Sequence, residues 1–525
     1  MFTQHNRPRT RRGITAAGIG TAALIALTAC AGGSPSGGSA GSVDTESLTM
    51  ELDGPVTSYD PALGASFQDV VVIWSMYDTL VALDEDGSYV PGLATDWEVT
   101  ASNAVFTIRD GVTCSDGEEL TAQVVANSLN RFFSPDTAAP FLSNVIGAGN
   151  SATATADGEN VTIALATPFS GLLSGLTVGY TGIVCSAGLA DPSTLTTGSN
   201  GTGGFIADTQ VAGANYTFTR RDDYDWGPEF AGIPTDGARP ATLVMQVVED
   251  ENTRANLQTT GEMEISAYTT DAWNRVTQQQ GWTSTVSQQS DTFLMFNHTE
   301  GHPTADPAVR MAIAQAIDRE RLNDVQSYGA GELITNLGST SYDCYDASAD
   351  DYMPEYDVDA ASAVLDGVSL AVNGTTLLAG GDGNSYVQSA LQEAGADVSF
   401  ENLNNQQWVS GLFTPLNNWD VTILVFANTS SNLLSGANFF TGATPPEGQN
   451  LSAVDNPEAD AALQIARENT GDESCAALAD YNRLMVENTD VLPLATAPAT
   501  VTFAPGVTAM VSKGFVRAGT IRIAE

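Results

Sequence analysis

The sequence predicts an α/β protein, and three patterns carry this prediction. In the second half of the chain, apolar runs alternate with amphipathic segments, so strands are expected at 376–379, 398–401 and 421–426 and helices at 385–394 and 406–413. The run at 421–426 is continuously apolar, which indicates a parallel sheet covered by helices on both faces. Shorter strand patterns dominate the two ends of the chain, so more β-rich regions are expected to flank this α/β part.

The other elements follow from local patterns. Apolar and polar alternation predicts strands at 49–53, 94–99, 105–109 and 161–165, and an apolar run predicts a buried strand at 293–297. Thr121 is expected to cap a helix, and Asp306-Pro307 opens another. The stretch 459–487 is expected to be helical with an interruption near Gly471, and 491–494 leads into short strands.

The N-terminus has the features of an exported protein. Arginines precede a short apolar run and small residues, as in a secretory signal, so 1–29 is the predicted signal peptide. Cys30 directly follows Leu27-Thr28-Ala29 and resembles the lipidated cysteine of bacterial lipoproteins, although an ordinary signal with an incidental cysteine is the alternative. Residues 30–46 then form a Gly- and Ser-rich tether. The resemblance predicts an extracytoplasmic protein anchored to the outer face of the cell membrane, with the Sec and twin-arginine routes both open.

Charge and cysteine content narrow the class further. The chain has 63 acidic and 19 basic residues and a formal net charge of −44, which disfavours nucleic acid and anionic lipid as partners. This charge fits either an acidic proteome or a preference for cationic or neutral ligands. Lipidation of Cys30 leaves four cysteines, which favour disulfides outside the membrane. Three pairings are possible, and one bond per half of the chain, Cys114–Cys185 and Cys344–Cys475, is the preferred one.

Motifs for catalysis and for metal binding are missing from the sequence. It contains no Gly-x-Ser-x-Gly, Ser-x-x-Lys or His-Glu-x-x-His motif, so no enzyme, cofactor or metal site is predicted. His298 and His302 are expected to be solvated loop residues, and 380–383 is expected to be a plain turn. An exported hydrolase with an unrecognised site remains the alternative from another class.

Several segments resemble one family of binding proteins. They follow one another in the family's order across about residues 47 to 520: Ser58-Tyr59-Asp60-Pro61-Ala62, Tyr77-Asp78-Thr79-Leu80, Leu93-Ala94-Thr95-Asp96-Trp97, Phe106-Thr107-Ile108-Arg109-Asp110-Gly111-Val112 with Ser115-Asp116-Gly117, Gly201-Thr202-Gly203-Gly204-Phe205, and Val309-Arg310-Met311-Ala312. The family is that of the family 5 solute-binding proteins of ABC importers, the oligopeptide, dipeptide and nickel-binding type. The resemblance implies a two-lobed, periplasmic-binding-protein-like fold with a hinged cleft.

The resemblance also implies three domains. Domain I is expected to comprise 47–72, 176–264 and 491–525, domain II is expected at 73–175, and domain III, the α/β ligand lobe, at 265–490. The chain crossings between lobes are expected near 261–267 and 490–494.

Segments that face the cleft in this family supply the candidate ligand-binding residues. These are Tyr59, Trp74, Trp408, Trp419, Phe426, Asn428 and Thr429. Peptide binders of the family carry Gly-Trp-x-x-Asp-Tyr, and here Phe426 stands at the Trp position and Asn428-Thr429 at the Asp position. The usual carboxylate partner of a peptide amino group is therefore missing from its place, so another carboxylate supplies it or the ligand lacks a free amine.

The predicted function is that of a monomeric, non-enzymatic receptor that captures short peptides and hands them to an ABC permease, while separate ATPase subunits supply energy. Binding of a non-peptide solute, such as a metal chelate or an oligosaccharide, is the alternative within the same fold.

Overall fold

The computed structural model describes residues 46–413, 418–427, 429–445 and 448–524. Its largest element is a ten-stranded mixed sheet. In spatial order the strands are Asp397–Leu403, Ser369–Thr375, Val421–Phe426, Thr283–Phe296, Val491–Phe503, Ile265–Tyr268, Ser47–Leu52, Thr242–Val247, Asn215–Arg220 and Phe205–Val211. The predicted signal, the tether with Cys30, and Asn428 lie outside the described residues.

Two long strands run through the middle of this sheet and join its two sides. Thr283–Phe296 and Val491–Phe503, here called the crossing strands, pair antiparallel along nearly their whole length. At one end they meet the parallel strands of the α/β lobe, because Thr283–Phe296 pairs with Val421–Phe426. At the other end Val491–Phe503 pairs with Ile265–Tyr268. The name base lobe is used here for the strands Ile265–Tyr268, Ser47–Leu52, Thr242–Val247, Asn215–Arg220 and Phe205–Val211, together with the segment 501–523 that shares their core. The register of the crossing pair shifts between Gln288 and Phe293, at the point where the two lobes meet.

This pairing bears on the predicted domain limits. Ile265–Tyr268 contacts Ser47–Leu52 through the pair Met50 and Ile265, so it lies in the base lobe. The strand pairing therefore favours a crossing inside Thr283–Phe296, later in the chain than 264/265. Residues 491–503 form a single long strand rather than the predicted short ones. The domain limits and the crossings near 261–267 and 490–494 stay predictions.

A separate antiparallel sheet forms the inserted region. Its strands, in spatial order, are Ala94–Val99, Asn103–Ile108, Asn160–Leu165 and Ala152–Asp157. Thr121 caps the helix Ala122–Phe133, as predicted, by accepting a hydrogen bond from Val124 N at 3.3 Å. That helix buries Val125, Leu129, Phe132 and Phe133 in the core beside the sheet. Short strand pairs complete the β structure: Val81–Leu83 with Tyr89–Pro91, Val507–Thr508 with Arg522–Ile523, and Val511–Ser512 with Phe515–Val516.

The helices expected after Thr121, at Asp306-Pro307, at 385–394, at 406–413 and over 459–487 are all present, and the chain has further helices that were not predicted. The helices are Phe67–Met76, Ala122–Phe133, Leu142–Ile146, Leu172–Gly175, Ser186–Ala190, Glu251–Thr260, Asn274–Thr277, Pro307–Ala316, Arg319–Ser327, Val358–Leu365, Asp382–Glu393, Asn405–Leu412, Leu433–Ala437, Pro457–Glu468 and Asp472–Glu487. The interruption expected near Gly471 is the break between the last two.

One predicted strand was wrong. The strand lies earlier in the chain, at Ser369–Thr375, and residues 376–379 follow it. Leu370 and Val372 are the strand residues that are buried in the core of the α/β lobe. Leu377 and Leu378 are apolar for a different reason: they line a cleft at the end of that strand. An apolar run alone does not distinguish these two environments.

Both predicted disulfides are present. Cys114 is bonded to Cys185 beside the inserted sheet, and Cys344 is bonded to Cys475 in the α/β lobe. The two bonds close loops of 71 and 131 residues in sequence separation. Over the described part of the chain, no helix combines the length and the apolar character needed to cross a membrane.

Candidate functional site

A cleft of about 450 Å³ lies between the base lobe and the α/β lobe, beside the crossing strands. The base lobe contributes one wall, from residues 50–53, 249–254 and 265–270. The α/β lobe contributes the opposite wall, from residues 376–380, 404–405 and Ala427. The cleft thus lies at the carboxyl ends of the parallel strands Ser369–Thr375 and Asp397–Leu403, where α/β sheets generally bind their ligands.

The base-lobe side of the cleft carries a concentration of negative charge. Five carboxylates line it, and they are called here the acidic wall: Glu51, Asp53, Glu249, Asp250 and Glu251. Arg254 is the one basic side chain among the described residues that line the cleft.

Local sequence explains how the acidic wall forms. In the strand Ser47–Leu52 the alternate residues Leu48, Met50 and Leu52 are buried, so the intervening Glu51 faces the cleft. The helix Glu251–Thr260 starts at the cleft, with Asp250 as its N-cap accepting from Thr253 N at 2.7 Å. Acidic side chains are stabilised at helix N-termini by the helix dipole.

Arg254 neutralises only part of this charge. Its Nη1 lies 3.1 Å from Glu51 Oε2, and its Nη2 lies 3.4 Å from Glu251 Oε1. Glu251 also accepts hydrogen bonds from the backbone N–H groups of Thr269 at 2.8 Å and Thr270 at 3.0 Å. Glu51 and Glu251 are therefore paired with Arg254. Asp53, Glu249 and Asp250 are exposed in the cleft, where Asp53 accepts a hydrogen bond from Gln68 Nε2 and Asp250 caps the helix.

Glu51 has an unusual protonation equilibrium. Its side chain is 12% exposed. Burial raises its pKa to about 7, Arg254 opposes this shift, and Asp53 adds to it. A cation bound beside Glu51 would favour the ionised carboxylate, so ligand binding at this wall and proton release are linked.

The described residues of the opposite wall are uncharged. Thr376, Leu377, Leu378 and the amides of Asn404 and Asn405 line it. The predicted turn is present, with Gly380 and Gly381 at φ of 64° and 89° ahead of the helix Asp382–Glu393. A β-carbon on Gly381 would lie 2.6 Å from Asn402 Oδ1, so glycine permits this tight passage. This wall offers hydrogen bonds and apolar contact but no carboxylate.

Three of the aromatic residues predicted to bind ligand are buried in cores. Tyr59 is 2% exposed and packs against Tyr216, with ring centres 6.1 Å apart. Trp408 is 4% exposed, and its Nε1 donates to Thr422 Oγ1 at 2.9 Å. Trp419 is 1% exposed within the core of the α/β lobe. None of these three side chains lines the cleft described above.

Phe426, Thr429 and Trp74 have different surroundings from these three buried residues. Phe426 packs against Phe439 at 5.1 Å between ring centres and precedes Ala427, which lines the cleft. Thr429 N donates to Ala427 O at 3.2 Å. Trp74 lines a second cavity, described below. The ligand contacts assigned to Tyr59, Trp74, Trp408, Trp419, Phe426, Asn428 and Thr429 stay predictions.

The acidic wall was missed by the sequence reasoning, although the sequence contains a signal for it. Glu249-Asp250-Glu251 is a run of three acids immediately before a helix. Glu51 lies near the end of the first strand, and Asp53 follows that strand directly. A search for acidic residues at the ends of strands would have found both segments.

The two histidines differ from expectation. His302 Nδ1 lies 2.7 Å from Asp420 Oδ1, and His298 Nε2 lies 3.2 Å from Asp490 O. Burial lowers the pKa of His298 to about 4, and Arg310 adds to this effect. The expectation of solvated side chains was wrong, because this loop folds back on the α/β lobe and uses both rings as hydrogen-bonding groups.

Comparison with known proteins identifies the family. The family model described as "Bacterial extracellular solute-binding proteins, family 5 Middle" matches residues 88–449. The periplasmic murein peptide-binding protein MppA of Escherichia coli (strain K12) is 25% identical over 496 residues, which cover 86% of this chain and 88% of that protein.

Solved structures agree with this result. A substrate binding protein from Microbacterium hydrocarbonoxydans, complexed with 4-hydroxybenzoate hydrazide, has a TM-score of 0.80 and 33% sequence identity, and the match covers 91% of this chain and 100% of that chain. The periplasmic binding protein DppA from Helicobacter pylori, in complex with the peptide STSA, has a TM-score of 0.76 and 19% identity, covering 91% and 98% of the two chains, and shows the fold alone.

These relatives are extracytoplasmic binding proteins and not enzymes. The two-lobed α/β fold, the absence of catalytic motifs and the cleft between the lobes agree with them. The chain therefore belongs to family 5 of the bacterial extracellular solute-binding proteins, the substrate-binding components of ABC transporters.

Proposed function

We propose that this protein is the lipid-anchored receptor of an ABC importer and captures short peptides through their amino group in the cleft between its lobes. Cys30 carries the anchor at the outer face of the cell membrane, a permease receives the cargo, and separate subunits hydrolyse ATP. The observation that carries this proposal is the acidic wall, with five carboxylates and one guanidinium.

The acidic wall supplies the carboxylate partner for a peptide amino group, which is missing from its usual place in the sequence. The family's aspartate in the α/β lobe is replaced here by Asn428-Thr429. Asp53 and Glu249, across the cleft, are exposed carboxylates that line it. A peptide ammonium group bound there makes charge-assisted hydrogen bonds of about 1.5–3 kcal/mol each. The carboxylate that pairs with the peptide ammonium group therefore comes from the base lobe instead of the α/β lobe.

The relatives differ in their ligands, so membership of the family does not by itself determine the class of cargo. The names of MppA and of the DppA complex refer to peptides, whereas the Microbacterium protein was complexed with an aromatic hydrazide. The acidic wall favours the ligand whose amino group is cationic at neutral pH, and the asparagines of the opposite wall suit peptide bonds. A neutral aromatic solute is the second candidate, because the Microbacterium protein is 33% identical to this chain.

Contacts between the lobes support capture by closure. Ser170 of the inserted region donates from its N to Arg467 O at 2.9 Å and from its Oγ to Ala466 O at 2.8 Å. Asn432 Nδ2 donates to Ser174 Oγ at 2.7 Å. These bonds join the inserted region to the α/β lobe, and the two side-chain bonds have sequence separations of 296 and 258 positions. Ligand would favour this arrangement by contacting both walls at once.

The test uses trialanine and N-acetyl-trialanine with the full chain purified from membranes. Calorimetry is expected to show that acetylation, which removes the cation, weakens binding about tenfold or more. The variants Asp53→Asn and Glu249→Gln should weaken trialanine binding to a similar degree. Glu159→Gln is the matched control, because Glu159 is exposed in the inserted region and does not line the cleft.

Mass spectrometry of material released on denaturation identifies natural cargo independently. Peptides with free amino groups are the expected result. Equal affinity for trialanine and its acetylated form, or a cargo without a basic nitrogen, would contradict the proposal and favour the neutral aromatic solute.

A further inference from the structure

A second cavity of about 290 Å³ lies beside the cleft and shares none of its described lining residues. Phe515 and Val516 line the cleft, and the next residue, Arg517, lines the second cavity. The walls of this second cavity combine four aromatic rings with three guanidinium groups: Trp74, Tyr77, Tyr224, Phe230, Arg239, Arg517 and Arg522.

Arg517 is the unusual member of this set. It is 8% exposed, and its guanidinium carbon lies 3.5 Å from the centre of the Trp74 ring and 5.5 Å from that of Phe230. Among the described residues, no carboxylate lies within 4 Å of its guanidinium and no acceptor receives a hydrogen bond from it. Burial lowers the pKa of Arg517 to about 9, with no opposing contribution from an acid. A buried guanidinium without an anion is costly, and this chain has 63 acidic residues to offer as partners.

The two other guanidiniums add positive charge to the same cavity. Arg239 Nη2 donates to the carbonyl oxygens of Arg221 and Tyr224, both at 3.0 Å, and its Nη1 is buried without a partner among the described residues. Arg522 Nη1 donates to Ile521 O at 2.9 Å. Backbone carbonyls position these groups but do not neutralise them.

The acidic side chains at this cavity are engaged elsewhere or exposed. Asp78 accepts from Tyr224 Oη at 2.9 Å and from Thr202 Oγ1 at 3.0 Å. Glu229 is paired with Arg109 at 2.7 Å, and Asp225 is exposed. These three acids do not occupy the position beside Arg517, but they would repel an anion of higher charge.

We propose that this cavity binds a small monocarboxylate with a planar apolar group, with the carboxylate on the Arg517 guanidinium and the apolar group against Phe230 and Tyr224. The fork of an arginine matches a carboxylate in a bidentate pair. The volume is at the small end of ligand cavities, which span about 300–1,000 Å³. This cavity is separate from the cleft, so the proposal of a carboxylate site does not depend on the proposed peptide cargo.

Benzoate is the probe, with benzyl alcohol and inorganic phosphate as comparisons. Calorimetry and ligand-observed NMR on the full chain are expected to show one benzoate site, no binding of benzyl alcohol, and no binding of phosphate. Arg517→Met should weaken benzoate binding at least about tenfold and leave trialanine binding within about twofold. Arg483→Met is the matched control, because the Arg483 side chain is 39% exposed, pairs with Glu487 at 2.8 Å and lines neither cavity.

Thermal unfolding distinguishes a loss of benzoate binding from a loss of folding in the variant. Removing an uncompensated buried charge should leave Tm unchanged or raise it in Arg517→Met, and benzoate should raise Tm only in wild type and the control. Arg517→Lys keeps the charge but loses the fork and should also weaken binding. Benzoate binding that is equal in wild type and Arg517→Met, no benzoate binding to wild type, or binding of phosphate alone would overturn the assignment.

Discussion

Lys513 lies with its Nζ 5.8 Å from the centre of the Tyr342 ring, and it also donates a hydrogen bond to Ser341 Oγ at 2.9 Å. Lys513 is the only lysine of the chain and follows the base-lobe strand Val511–Ser512, whereas Tyr342 packs in the core of the α/β lobe. The Tyr342 hydroxyl in turn donates to Asp291, at the register shift of the crossing strands. One lysine therefore joins the two lobes at the point where they are expected to bend.

This contact predicts an effect on closure. Lys513→Met should weaken cargo binding about fivefold to thirtyfold, because a desolvated cation–π contact and one hydrogen bond together contribute about 1–2 kcal/mol to the closed arrangement. Calorimetry with trialanine measures the affinity, and X-ray scattering measures the closed fraction. Lys513→Arg keeps the charge and should lose less. An affinity unchanged in Lys513→Met would show that the lobes close without this contact.

Protonation of Glu51 predicts a pH dependence of stability. The pKa of Glu51 is raised to about 7 in the folded state from 4.5, so protonated Glu51 favours folding, and this contribution is present below pH 4.5 and lost as pH rises through 7. In Glu51→Gln the side chain does not ionise, so this contribution to stability does not change with pH. The difference in unfolding free energy between Glu51→Gln and wild type should therefore grow between pH 5 and 8, by about 3 kcal/mol at most.

Urea unfolding of both proteins at pH 5, 6, 7 and 8 measures this difference. Burial also raises the pKa of Asp291 and of Asp490 to about 6, but both residues are present in the two proteins and cancel in the comparison. Arg254, Asp53 and Glu251, which surround Glu51, are likewise unchanged. A difference that is constant across this range would contradict the raised pKa.

The disulfide Cys114–Cys185 predicts a large stabilisation. It closes a loop with a sequence separation of 71, and in the chain-entropy model such a bond contributes about 4 kcal/mol. Replacing both cysteines with alanine should lower the free energy of unfolding by about that amount, measured in urea without reductant. Peptide mapping should find Cys114 linked to Cys185 and Cys344 to Cys475 in the exported protein. Four free thiols or crossed pairs would be inconsistent with the structure.

Phe426 and Asn428 remain the sequence-based candidates for ligand contact in the α/β lobe. Replacing both with alanine should weaken binding about 5- to 150-fold, if the aromatic ring stacks on ligand when the lobes close. Thermal unfolding of the empty protein should change little, since Phe426 is only half-buried against Phe439. Calorimetry with trialanine reports the affinity, and a loss of affinity that comes only with loss of folding would move the site to other residues.

Anchoring rests on Cys30. Cys30→Ala should release the protein from the membrane fraction, because a thiol at this position is required for lipid attachment. Fractionation with antibody detection measures the distribution, and Ser34→Ala in the tether is a matched control. Retention of Cys30→Ala at the membrane together with an uncut signal would show that the apolar run itself is the anchor.

The sequence by itself determined most of the local structure. The helix Ala122–Phe133, the strand Val421–Phe426 and the break at Gly471 were all predicted, because caps and hydrophobic periods act within one short window. The ordered family segments also predicted the two-lobed fold, and the cysteine count narrowed the disulfides to three pairings.

Only the tertiary structure decided where the binding groups meet. Glu51 and Arg254 are adjacent because the strand Ser47–Leu52 pairs in parallel with Thr242–Val247, which leads directly into the helix of Arg254. Leu377 and Leu378 line the cleft instead of forming a strand. Arg517 lies on Trp74, and none of the described acidic residues pairs with it. Nothing in its local sequence indicates this position. Sheet pairing joins segments some 200 residues apart, and a short window of sequence contains no information about that distance.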